Sequence, residues 1–202
     1  MRKLLWLNPV VKNMYDFSTL KELLQNKGFN IVECEKDHVR DVKNLYKNLC
    51  SKGMVLDSRC PRAVNFIRSN FKEFSNNISN LNPILIESAI ELSSKLKEGE
   101  WLYITTPCED LAELGNSLKL ERTTFLTWKN FKELNDINLQ ISKIESSPIP
   151  PGFFENLGIK TLSLCSKEKI QNAFSYKFSE LKNYQIIELL YCENGCHNGD
   201  GL

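Results

Sequence analysis

Short apolar runs alternate along this chain with longer amphipathic segments, and three of those runs lead directly into cysteine. Gly53 to Leu56 runs into D-S-R-C-P with Cys60, Trp101 to Thr105 into T-P-C with Cys108, and Gln185 to Tyr191 into C-E-N-G-C with Cys192 and Cys196. Runs this short suit strands, and the longer segments suit helices. The resulting strand–helix–strand–helix rhythm is that of an open α/β fold with largely parallel sheets flanked by helices. Ligands of such sheets gather outside the carboxyl ends of the strands. Cysteines far apart in sequence are therefore expected to converge on one pocket.

Lys3 to Val11 reads as a strand, Phe17 to Lys27 as a helix stopped by Gly28, and Phe29 to Cys34 as a second strand. Val39 to Leu49 reads as a helix. Another is expected from Pro61, carrying Val64, Phe66 and Ile67, because proline suits the first helical turn. Pro83 to Leu96 reads as a helix, and Phe125 to Trp128 as the entry to one that runs through Leu134. Thr161 to Leu164 reads as a strand and Glu168 to Phe174 as a short helix. The strongest breaker is S-P-I-P-P-G at 147–152. The reading is one domain over residues 1–202, made of two lobes with a site between them and a lobe link near 147–152.

Composition narrows the function classes. A formal net charge of +1, with Lys and Arg scattered among Asp and Glu, recommends neither a nucleic-acid groove nor an anionic membrane surface. No apolar run approaches the roughly 18 residues that cross a bilayer. The opening M-R-K-L-L-W-L-N-P-V-V reads as a first strand rather than a signal peptide, which makes the cytoplasm the expected address. The seven cysteines are an odd number without regular spacing, which argues against a disulfide framework. Cys34, Cys50 and Cys165 stand outside any Pro- or Gly-flanked motif and read as structural thiols.

The remaining four cysteines carry the chemistry. Iron–sulfur clusters take thiolates because each iron needs a soft anionic ligand, and glycines beside them let backbone N–H groups approach the sulfides. Zinc also accepts four thiolates, but usually from paired short knuckles. Here Cys192 and Cys196 form the single pair, with Cys60 and Cys108 isolated, a pattern that fits a buried cluster better. His197 adjoins Cys196 and reads as a solvent-facing loop histidine in preference to a ligand; His38 lies in a charged loop with no specific role.

D-S-R-C-P (57–61), T-P-C (106–108) and E-L-L-Y-C-E-N-G-C-H-N-G-D-G (188–201) resemble the three signature segments of the iron-only hydrogenase large-subunit catalytic domain. That family's patterns are T-S-C-C-P, M-P-C-x-x-K and E-x-M-A-C-x-x-G-C-x-x-G-G-G. L-T-W-K-N-F (126–131) and S-P-I-P-P-G-F-F-E-N-L-G-I-K (147–160) are similar to further stretches of it. The resemblance implies that Cys60, Cys108, Cys192 and Cys196 hold a [4Fe–4S] cluster, with Cys196 at the position that bridges to a two-iron subcluster.

The departures from the pattern bear on activity. The cysteine that relays protons in the family falls at Arg59, and a guanidinium stays protonated at any working pH. The lysine that clamps the subcluster's cyanides falls at Leu111, and the two methionines around it fall at Thr106 and Leu190. Losing relay, clamp and packing shell together implies that the two-iron unit is absent. Arg59 itself reads either as a solvated surface charge or as a cation beside the cluster that favours its reduced state.

The leading expectation is therefore a degenerate, non-catalytic [4Fe–4S] protein for electron transfer or redox sensing, in the setting of an anaerobe. Its partners would be a ferredoxin-type electron donor or a signalling protein, with no nucleic acid and no membrane. A divergent iron-only hydrogenase is the second reading, and a zinc-binding or purely structural or interaction domain the third.

Overall fold

The computed structural model describes residues 1–51, 53–141, 147–176 and 178–202. In chain order the elements begin with β1 (Arg2–Trp6), α1 (Pro9–Met14), α2 (Phe17–Asn26), β2 (Phe29–Ile31) and α3 (His38–Cys50). Then come β3 (Val55–Leu56), α4 (Pro61–Asn70), α5 (Ile84–Ser93), β4 (Glu100–Thr106) and α6 (Glu109–Ser117). The chain continues with β5 (Thr123–Thr127), α7 (Trp128–Leu134), β6 (Thr161–Cys165), α8 (Lys167–Tyr176), α9 (Phe178–Leu181) and β7 (Ile186–Leu190). They form two compact units, the first made of Met1–Lys36, Leu85–Pro148 and Cys196–Leu202, the second of Asp37–Ile84 and Ile149–Gly195.

The first unit carries a parallel sheet in the order β2-β1-β4-β5. Its core includes Trp6, Ile86, Leu102, Ile104 and Phe125. The second unit carries a parallel sheet in the order β3-β7-β6. Every residue of its central strand β7 is buried, as expected where helices cover both faces of a parallel sheet. Alternation along β7 sends Ile187 and Leu189 into one apolar cluster with Val64, Ile67 and Phe174, and Ile186 into another with Val42, Tyr46 and Phe154.

Several sequence expectations need correction, among them the second strand, which ends at Ile31 and not at Cys34. Lys3 to Val11 is not one strand: β1 stops at Trp6, and α1 begins at Pro9. Asn8 caps that helix, accepting from the Val10 N–H at 2.8 Å, and Pro9 supplies a φ already suited to the first turn. Thr123–Thr127 forms strand β5 rather than a helix entry. Only Trp128–Leu134 is helical, capped by the Thr127 hydroxyl, which accepts from the Asn130 N–H at 3.2 Å. The helix α6 that follows Cys108 has no counterpart among the expected elements; it buries Leu111, Ala112 and Gly115.

Candidate functional site

In the second unit, strand order sets Cys60 and Cys192 at the same end of one sheet. Cys60 follows β3 and stands at the N-cap of α4, where Pro61 occupies the first helical turn. Cys192 follows β7, the neighbour of β3. Burial pushes the Cys60 thiol up to about 11, opposed by the Tyr191 and Ala63 backbone N–H groups that donate to it and reinforced by the nearby Cys192 and Asp57 charges. The two cysteines thus lie near each other at that end of the sheet. Backbone donors already aimed at Cys60 suit an anionic, metal-bound thiolate.

In the first unit, the Cys108 and Cys196 segments are bound together. The Gly201 N–H donates to the Pro107 carbonyl at 3.1 Å, and the Gly201 carbonyl accepts from the Lys129 N–H at 2.9 Å. The Glu109 N–H donates to Asp200 at 3.3 Å. The two glycines of the tail are there for proximity. A Cβ on Gly199 would lie 2.1 Å from the Pro107 carbonyl oxygen, and one on Gly201 would lie 3.0 Å from the Cys108 Cα. Cys108 and Cys196 are both half-buried. His197 lies in a short turn of 3-10 helix and is half-exposed: its Nε2 lies 3.3 Å from the Asn198 amide nitrogen on the open side, while its Nδ1 is enclosed without a hydrogen-bond partner among the described residues.

Arg59 is not a surface charge. It is 8 % exposed, and its guanidinium is held by Asp57 and Glu188, both 0 % exposed. Its Nη2 donates to each carboxylate at 2.8 Å, and its Nε donates to Asp57 at 3.0 and 3.1 Å. The guanidinium also lies over the Phe153 ring, 3.8 Å from the centroid, and 4.6 Å from that of Phe154.

Each carboxylate has further work. Asp57 accepts from the Tyr46 hydroxyl at 3.0 Å, and Tyr46 in turn accepts from the Ser58 N–H at 2.9 Å. Glu188 accepts from the Gly152 and Phe153 N–H groups at 2.7 and 3.1 Å and from the Ser163 hydroxyl. Buried charges persist only when paired and hydrogen-bonded, and this group satisfies that condition on every side.

Sequence reasoning did not single out Asp57 and Glu188 as partners of Arg59. The available signal was a glutamate inside the apolar run I-I-E-L-L, a residue type almost never buried unless paired. The other positions where the family pattern is lost are packed. Leu111 and Leu190 are buried, and Thr106 is fully buried with its hydroxyl donating to the Cys108 carbonyl at 2.9 Å.

Among the thiols read as structural, Cys34 is half-buried at the edge of the first unit's core and donates to the Ser88 carbonyl at 3.8 Å. Cys50 is buried in α3. Cys165, at the end of β6, differs from both because its Sγ donates to the Cys192 carbonyl at 3.1 Å. His38 is buried at the first position of α3 and does not lie in a loop. Among the described residues no helix is long and apolar enough to cross a membrane.

No protein-family model matches the chain, and no curated protein matches it. Solved structures do. The chain aligns over 99% of its length with 79% of a variant of the [FeFe]-hydrogenase HydA1 from Chlamydomonas reinhardtii, at 10% identity and a TM-score of 0.64. Another variant of that protein gives 11% identity and a TM-score of 0.60 over the same shares of the two chains. A structure of HydA(deltaEFG), described as revealing stepwise [FeFe]-hydrogenase H-cluster assembly, gives 11% and 0.63, again over 99% and 79%. The chain thus has a distant hydrogenase-like α/β fold.

Proposed function

We propose that this protein binds one [4Fe–4S] cluster through Cys60, Cys108, Cys192 and Cys196 and uses it for electron transfer or redox sensing, without hydrogen chemistry. Several features of the chain fit such a group. Within the second unit Cys60 lies near Cys192, and within the first the Cys108 and Cys196 segments are bound together. Chain geometry alone keeps the Cα atoms of Cys192 and Cys196 within about 14 Å of each other. The N–H donors at Cys60, the close-packed Gly199 and Gly201, and the enclosed, unpartnered His197 Nδ1 suit a polar group bound beside these segments. When bound, the cluster supplies one-electron transfer, and the four thiolates hold it.

Arg59 is the observation that carries the non-catalytic half of the proposal. At the position where the family resemblance needs a thiol to relay protons, this chain has a guanidinium locked between two buried carboxylates. It cannot release a proton, and its place in the packing is filled. The carboxylates also answer its charge, so Arg59 does not act as a lone cation favouring the reduced cluster. Thr106, Leu111 and Leu190 supply neither the cyanide clamp nor the methionine contacts.

The test is infrared spectroscopy of the full chain, co-expressed anaerobically with hydrogenase maturation proteins. No cyanide or carbon monoxide bands are expected. Such bands, with hydrogen evolution from a chemical reductant, would establish the divergent hydrogenase instead. Zinc in place of iron would establish the third reading.

A further inference from the structure

Cys165 lies outside every cysteine motif, yet its thiol is tied to the loop that follows β7. The β6–β7 ladder fixes where it sits: Cys165 is in register with Leu190, and the next N–H, that of Ser166, donates to the Leu190 carbonyl at 3.0 Å. From there Sγ donates to the Cys192 carbonyl at 3.1 Å. The backbone N–H groups of Asn194 and Gly195 donate back to the same sulfur. Asn194 and Gly195 both have positive φ, 57° and 113°, so the chain turns sharply around the thiol. The Gly195 N–H also approaches the Cys192 carbonyl at 3.4 Å.

One buried sulfur therefore meets one acceptor and two donors of C-E-N-G-C.

We propose that Cys165 is a positioning residue for the 192–196 loop, holding the Cys192 and Cys196 backbone in the conformation from which their sulfurs bind the cluster. This rests on the cluster reading above. A thiol does this where alanine cannot, since it donates one hydrogen bond and accepts two; serine, of similar shape, keeps the same pattern. A thiol that merely filled core space would be replaced by either residue with similar effect.

The experiment compares the wild-type chain with Cys165→Ala and Cys165→Ser, first free of metal and then reconstituted anaerobically with iron and sulfide. In the metal-free chains, the Asn194 and Gly195 amides of Cys165→Ala should exchange with deuterium about tenfold faster than in wild type, the effect of losing roughly one net hydrogen bond. Ile187 and Leu189 in β7 should be unchanged, and Cys165→Ser should restore protection. Unchanged Asn194 and Gly195 exchange in Cys165→Ala, or equal loss of β7 protection in both variants, would overturn the proposal.

After reconstitution, Cys165→Ser should keep the wild-type iron content and electron paramagnetic resonance signal. Cys165→Ala should show a shifted signal and several-fold faster loss of iron to a chelator. Loss of iron in Cys165→Ser would instead make Cys165 a ligand, contradicting a positioning role. If wild type takes up no iron, the cluster reading fails while the exchange data still decide what Cys165 does to the loop.

Discussion

The guanidinium of Arg59 lies 2.8 Å from a carboxylate oxygen of Glu188, 129 residues further along the chain. Asp57 completes the group, and the same Glu188 holds the Gly152 and Phe153 backbone against the sheet. A polar group thus replaces apolar packing at the centre of the second unit, next to Cys60.

Arg59→Met tests that arrangement. It keeps much of the side-chain volume but leaves two buried carboxylates without their cation, which should cost about 3–5 kcal/mol of unfolding free energy. Urea denaturation of the metal-free chain checks this. A loss below about 1 kcal/mol, the size of an exposed ion pair, would mean that the group does not hold the unit together.

Tyr46 gives the pH dependence. Burial, with the Asp57 charge adding to it, pushes its phenol above the ordinary value of 10, against hydrogen bonds from Ser58 and Ser79 that act the other way. A group whose folded value is raised stabilises the fold below its unfolded value, and that stability is lost as pH rises through the folded one. Wild type should therefore lose more stability than Tyr46→Phe above pH 10, and no Tyr46 phenolate should absorb until the fold opens. Parallel slopes of unfolding free energy against pH for the two proteins would contradict the assignment.

Gly199→Ala puts a methyl group 2.1 Å from the Pro107 carbonyl oxygen, a backbone atom that cannot swing away. Separating the Cys196 tail from the Cys108 turn should cost about 1–3 kcal/mol, the usual range for overpacking, and lower the iron retained per chain. An unchanged denaturation midpoint together with unchanged iron would show that the close approach is unimportant.

The strand ends were legible in the sequence because they carry local signals. Apolar runs stop at Asp57, Thr106 and Tyr191, and Pro61 marks the helix after Cys60. Strand β5 was not legible, because T-T-F-L-T gains its pairing from β4 and its burial from the sheet rather than from any local pattern. The break after Trp6 was signalled by Asn8 and Pro9, but the hydrophobic run around them suggests continuity. The partners of Arg59 and the role of Cys165 depend on long-range pairing of β3, β7 and β6, which no window of sequence contains.

Cys60→Ser and Cys108→Ser should each abolish the cluster and the stability it adds, because binding energy at such a site is also folding energy. Cys34→Ala and Cys50→Ala should retain full cluster content. Equal thermal stability of wild type with and without iron, or loss of the cluster in either alanine variant, would contradict the ligand set.

The most direct measurement is iron and acid-labile sulfide per chain after anaerobic purification, with hydrogenase maturation proteins co-expressed. A single cubane gives about four of each, which is the expected result. Iron near six with sulfide near four, on the order expected when a two-iron unit is added to a cubane, would contradict it.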